Sequence, residues 1–187
     1  MITALLVIDV QKGLDEPVWG QRNNPEAEAN IARLLAEWRS RGLPVIHVRH
    51  CSVNPSSPLR PELPGNAYKA EAQPLPGETE FTKTVNSAFI GTGLEDYLKA
   101  HQITALVVVG LTTDHCVSTS VRMAANLGFA VTLVADATAT FERRGHDGSH
   151  YSADTMHNIN LASLSGEFCA VRSTHQVLDA LAVSSAP

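Results

Sequence analysis

The sequence is poor in cysteine, in aromatic residues and in basic charge. Three cysteines in 187 residues, Cys51, Cys116 and Cys169, are too few and odd in number for a disulfide scaffold. No two of them form a Cys-x-x-Cys pair, which excludes a zinc ribbon or a thioredoxin motif. Cysteine this sparse fits a reducing compartment, and a cytoplasmic location is expected. Aromatics at 5% leave little for a base-stacking platform. Acidic residues outnumber basic ones 19 to 14, for a net charge of -5. Nucleic-acid binding normally needs a basic face, so no nucleic-acid partner is expected. Small acidic ligands need only one or two local cations and stay open. The apolar N-terminal run, Met1 to Ile8, is too short to span a membrane and has neither a basic start nor a small-residue cleavage site. No membrane partner is expected.

What the chain does have is apolar bulk. Hydrophobic residues make up 44% of it, enough to bury roughly 70% of the unfolded surface at this length without staples. One domain over residues 1–187 is expected. Residues 4–10 form a continuous apolar run ending in acid, which suits a strand buried on both faces. Asn24-Pro25-Glu26 reads as a helix start with Asn24 as cap, and the helix runs to about Arg41 before the Gly42 stop. Residues 44–48 form a second strand. From about Cys51 to Glu80 the periodicity fails and prolines accumulate, so a long segment should pass over the surface and shape one wall of a site. A brief strand at residues 80–83 and a helix opened by Thr92 or Gly93 follow. Residues 105–110 are the strongest strand signal, after which Thr113 is expected to cap a helix from Asp114 to about Leu127. Then come a strand at 130–135, a polar loop at 136–149, a helix at 153–164, a strand at 168–171 and a helix at about 174–182. Alternating strands and helices, with strands nearly all apolar, predict an α/β fold: a three-layer, doubly wound sheet of about six mostly parallel strands with helices on both faces. Ligands of such sheets sit beyond the carboxyl ends of the strands, where the strand order reverses.

Two chemistry-bearing residues fall where that rule points. Asp9 ends the first strand, and a carboxylate there costs free energy unless it is paired or hydrogen-bonded. It reads equally as a residue capping local backbone groups. Cys116, in Gly110-Leu111-Thr112-Thr113-Asp114-His115-Cys116, lies near a helix N-terminus, whose dipole favours a thiolate. A small buried core residue fits the same spacing. Lys83 is a third candidate, although an isolated lysine is ordinarily solvated.

The ordered set Asp9-Val10-Gln11, Thr82-Lys83-Thr84 with Ser87-Ala88-Phe89, and the 110–116 stretch resembles the isochorismatase-like cysteine hydrolases, a family that includes nicotinamidase and N-carbamoylsarcosine amidase. The resemblance covers nearly the whole chain and implies a triad of Asp9, Lys83 and Cys116. It further implies a cis peptide at Leu111–Thr112, with the Thr112 and Cys116 N–H groups as an oxyanion hole. The activity implied is hydrolysis of a C–N bond (amide, carbamoyl or lactam) in a small non-peptide metabolite, through a Cys116 thioester. The alternatives are an isochorismatase-type reaction on a non-amide bond and a non-catalytic oligomeric binding protein of the same fold. The resemblance also implies a homo-oligomer, dimer or tetramer.

No cofactor is expected, and no metal. Nicotinamidases carry an Asp-x-His pair after the second strand, whereas this chain has His47-Val48-Arg49-His50-Cys51. On a strand, His47 and His50 point to opposite faces. Phe89, His115 and Trp19 are candidate substrate-binding residues. Phe141 and Tyr151 are candidates for a lid, and Arg49 and Arg60 for holding an acidic group.

Overall fold

The computed structural model describes residues 2–183. Its elements in chain order are β1 (Ile2–Ile8), α1 (Ala27–Ser40), β2 (Val45–His50), β3 (Thr79–Lys83), α2 (Leu94–Ala100), β4 (Ile103–Leu111), a π-helical turn (Thr113–Val117), α3 (Ser118–Asn126), β5 (Ala130–Ala139), β6 (Arg143–Arg144), β7 (His150–Tyr151), α4 (Ala153–Leu164), β8 (Ala170–Arg172) and α5 (Thr174–Val183).

Six strands form one sheet in the order β3-β2-β1-β4-β5-β8, and every pairing is parallel. The chain winds outward from β1 through β2 to β3, then returns to the centre and winds the other way from β4. The strand order therefore reverses between β1 and β4, and the carboxyl ends of those strands hold Asp9 and Leu111. Strand alternation splits the apolar residues between two faces. Leu6, Ile8, Leu106 and Val108 pack with Leu94, Leu98, Val121 and Leu164 from α2, α3 and α4. Leu5, Val7, Val107 and Val109 pack with Ile31, Leu34, Leu35 and Trp38 of α1 and Val177 of α5. Both faces of the central strands are thus buried, which is why their sequences are unbroken apolar runs.

Local expectations fail where a distant partner wins. Asn24 is not a helix cap: α1 begins at Ala27 with no side-chain cap. Asn24 adopts φ +45°, and its amide donates to the carbonyls of Thr138 (2.7 Å) and Ala135 (3.0 Å). Thr113 does not cap an α-helix either. It opens the π-helical turn, and its hydroxyl hydrogen-bonds His157 Nδ1 at 2.9 Å. The expected polar loop at 136–149 is partly strand. β5 continues to Ala139 after a register shift against β4, and the rest forms the β6–β7 hairpin. Asp136 is what makes that stretch look like a loop, and its carboxylate accepts from the Thr174 N–H (2.7 Å) and hydroxyl (2.8 Å) at the start of α5.

The strands meet most closely at Gly110. It has φ +124°, and a Cβ there would lie 2.0 Å from the Ile8 carbonyl oxygen. Only glycine allows β4 to press against β1 at this point. Asp9 follows immediately with φ +50°, a left-handed conformation that Asp tolerates better than most residues. Among the described residues no helix is long and apolar enough to cross a membrane.

Candidate active site

The three residues of the expected triad come from three separate elements and meet at the reversal point. Asp9 follows β1, and its N–H donates to the Val48 carbonyl of β2. Lys83 ends β3, in register with His50 of β2. Cys116 sits in the π-helical turn after β4. Asp9 and Lys83 are both about 2% exposed. Lys83 Nζ donates to Asp9 Oδ2 at 2.6 Å, to Cys116 Sγ at 3.2 Å and to His50 Nδ1 at 3.0 Å. A buried lysine is costly unless paired and hydrogen-bonded, and here all three ammonium hydrogens have acceptors. The other Asp9 oxygen, Oδ1, is buried without a hydrogen-bond donor among the described residues.

Burial pushes the Cys116 pKa well above the ordinary thiol range, and the Asp9 charge adds to this; Lys83 opposes both without prevailing. Desolvation disfavours the charged form of a buried thiol, and Lys83 works against it. The Leu111–Thr112 peptide bond is cis.

These groups open into a cavity of about 380 Å³. Thr112, Cys116, His50 and His115 lie along it, with Leu14, Trp19 and Leu59 as apolar walls. The Pro-rich segment contributes Ser52, Asn54 and Pro58, the wall its irregular sequence predicts. Trp19 is fixed by its indole N–H on the Gly13 carbonyl at 2.7 Å and by stacking on Phe141. His115 is half-exposed at the rim.

Phe89 is not at the mouth. It is 8% exposed and stacks on Phe129 within the core, because the Ala88 N–H docks on Ser120 of α3. Tyr151 stands exposed on β7 away from the cavity. Arg49 packs over Tyr68, and Arg60 pairs with Glu62.

Two polar residues at the site were given no part in its catalytic set by the sequence. Arg143 lines the cavity with its guanidinium held by Asp114 at 2.9 Å. Burial works to raise the Asp114 pKa, but the Thr140 hydroxyl and the charges of His115 and Arg143 hold it below the usual carboxylate value. The second is His50. The chain places it directly opposite Lys83, a proximity visible only once β2 and β3 are known to pair in parallel.

Asp9, His50 and Cys116 present ligand atoms within 4.8 Å of one another. The Lys83 ammonium lies 2.6–3.2 Å from an atom of each, so the cluster already surrounds a cation. His47 faces away and bonds Glu78 at 2.9 Å. The two histidines of β2 therefore do not converge on one ion.

The isochorismatase domain matches residues 3–174. The chain is similar to the isochorismatase family protein YrdC of Bacillus subtilis (strain 168), 48% identical over 176 residues that cover 94% of each chain. It is also similar to the ureidoacrylate amidohydrolase RutB of Variovorax paradoxus (strain S110), 28% identical over 171 residues, 73% of this chain and 68% of that protein. A solved isochorismatase-family structure from Chromobacterium violaceum ATCC 12472 superposes with a TM-score of 0.94 at 50% identity, covering 97% of this chain and 94% of that one. With the domain match, the sequence identity and the superposition in agreement, the chain belongs to the isochorismatase family of hydrolases.

Proposed function

We propose that the chain is a cysteine hydrolase that cleaves the C–N bond of an amide, carbamoyl group or lactam in a small non-peptide metabolite. The observation that carries this reading is the Lys83 ammonium bridging Asp9 and Cys116, with both side chains bordering the cavity. The amidohydrolase activity in the name of the Variovorax relative supports the same bond class.

The residues divide the work as follows. Asp9 is the base. Its carboxylate lies within 4.8 Å of the Cys116 sulfur, and its Oδ1 has no competing donor. As Cys116 attacks the substrate carbonyl carbon, the thiol proton passes to Asp9. Lys83, bonded to both Asp9 and Cys116, offsets the charge of the developing thiolate. The tetrahedral oxyanion is held by the Thr112 and Cys116 N–H groups. Protonated Asp9 then gives its proton to the leaving nitrogen, the C–N bond breaks, and a thioester remains. Asp9 next takes a proton from water as the water oxygen attacks the thioester. The acid departs and the proton returns to sulfur. Proton transfer and attack are coupled on bound substrate.

The cavity favours a compact substrate. At about 380 Å³ it lies near the small end of ligand sites, and its one arginine is already paired with Asp114. A screen of small amides, ureas and lactams for ammonia or amine release tests the reading. The expected result is one class turned over by the wild type and none by Cys116→Ala, with a mass shift on Cys116 when turnover is quenched in acid. Undiminished turnover by Cys116→Ala overturns it.

A further inference from the structure

We propose that His50 is a positioning residue of this site: it takes the third hydrogen of the Lys83 ammonium and thereby fixes Nζ between Asp9 and Cys116. The inference rests on the reading of Cys116 as nucleophile. An ammonium has three donors and no lone pair, so His50 Nδ1, 3.0 Å from Nζ, must be the acceptor. That assigns the ring proton to Nε2 and requires the neutral imidazole. The surroundings enforce that form: burial and the Lys83 charge both drive the His50 pKa below its ordinary value. The other titratable groups beside the ring are Asp9, after β1, and Cys116, in the π-helical turn.

The backbone of His50 is anchored with unusual completeness. Buried Gln11 accepts from the His50 N–H at 2.9 Å and donates to its carbonyl at 3.0 Å. Buried Asn66 donates to the same carbonyl at 2.9 Å. Two buried amide side chains from distant parts of the sequence thus clamp one strand-end residue on both sides. Burying amides is costly unless their hydrogen bonds are met; these meet theirs at His50 and, in addition, Gln11 donates to the Asn66 carbonyl and Asn66 to the Leu59 carbonyl. Without an acceptor at Nδ1, the third ammonium hydrogen would be buried and unpaired, and Lys83 would trade a contact with Asp9 or Cys116 for water. Lys83 would then be less able to favour the thiolate.

The test reads the sulfur directly and needs no substrate. The rate of iodoacetamide alkylation at Cys116, followed by mass spectrometry at one pH, is compared in wild type, His50→Leu, His50→Gln and His50→Asn. An Asn side chain places a polar atom where Nδ1 stood, whereas the Gln amide reaches toward Nε2. Losing a charge-assisted hydrogen bond should slow alkylation by about 10- to 100-fold in the Leu and Gln variants. His50→Asn should stay within about threefold of wild type. Equal rates in wild type and a folded Leu or Gln variant overturn the proposal, as does an Asn variant no faster than Gln. The hydrolase reading fails separately, through turnover by Cys116→Ala, and that result leaves the alkylation comparison intact.

Discussion

Gly110 and Ile8 are in such close contact that no side chain fits between them: a Cβ on Gly110 would lie 2.0 Å from the Ile8 carbonyl oxygen. The residue after Ile8 is Asp9, and the residues after Gly110 lead into the turn that holds Cys116. The pinch between β1 and β4 therefore sets the spacing of Asp9 and Cys116.

Gly110→Ala is expected to remove about 4 kcal/mol or more of stability, or to prevent folding, since backbone must move to admit the methyl. Gly128 provides the comparison. It also has a positive φ, +90°, but a Cβ there meets nothing within 4 Å. Gly128→Ala should cost only about 1–2 kcal/mol, from left-handed strain alone. Urea unfolding midpoints of the two variants check the difference, and equal losses would mean that the Ile8 contact relaxes freely.

The Asp9–Lys83 pair predicts a reversal of sign between single and double substitution. Both side chains are essentially excluded from solvent. Asp9→Asn leaves the ammonium without its counter-charge and should lower stability by about 3–5 kcal/mol. It should also reduce turnover by about 100- to 10,000-fold, as expected for loss of a general base. Adding Lys83→Met removes the stranded charge, so the double variant should recover most of the stability and none of the activity. Denaturant melts of the three proteins decide this, and a double variant weaker than Asp9→Asn contradicts it.

Acid stability should be governed first by histidine. Burial holds His47, His50 and His157 below the ordinary histidine pKa. Between their depressed values and about 6.5 the unfolded chain binds protons that the folded chain refuses, so stability rises with pH in that window. Their contribution is complete above about pH 6.5 and lost as pH falls, at no more than about 1.4 kcal/mol per pH unit for each group. Glu28 and Glu78 act later. Burial opposes their ionisation, but Arg22 and Lys69 on the first and Arg39 on the second hold both pKa values at about 2. Their share is complete above about pH 4.5 and is lost progressively as pH falls from there toward about 2. Unfolding free energies measured at pH 7, 6 and 5 should fall steadily, and less steeply in His47→Gln. A profile flat from pH 7 to 5 would show that these rings protonate without cost.

Much of the sheet is legible in the sequence because its central strands are apolar on both faces. Leu106-Val107-Val108-Val109 reads as buried strand whatever the topology, and the three triad positions stand out once order and spacing are compared with the family. Contacts set by register are not legible. His50 meets Lys83 only because β2 and β3 pair in parallel at that offset. Asn24 looks like a helix cap because its true acceptors, Ala135 and Thr138, lie more than 100 residues away. Phe89 looks available because nothing near it in sequence announces the Phe129 ring it stacks on. Local patterns carry local energies, and these three residues are governed by partners that folding brings to them.

The π-helical turn gives Cys116 an address independent of the helix behind it. Such a turn holds one residue more than an α-helical turn, shown here by the Val117 N–H reaching back to the Thr112 carbonyl. One extra residue offsets everything before it by roughly 100° around the helix axis. Val117, Val121 and Ala124 keep the core-facing stripe of α3, while Cys116 is turned toward the cavity without joining the register of that stripe. Sequence change on the core side of α3 can then accumulate without re-aiming the sulfur, and change at residues 113–116 can alter the chemistry without repacking the core.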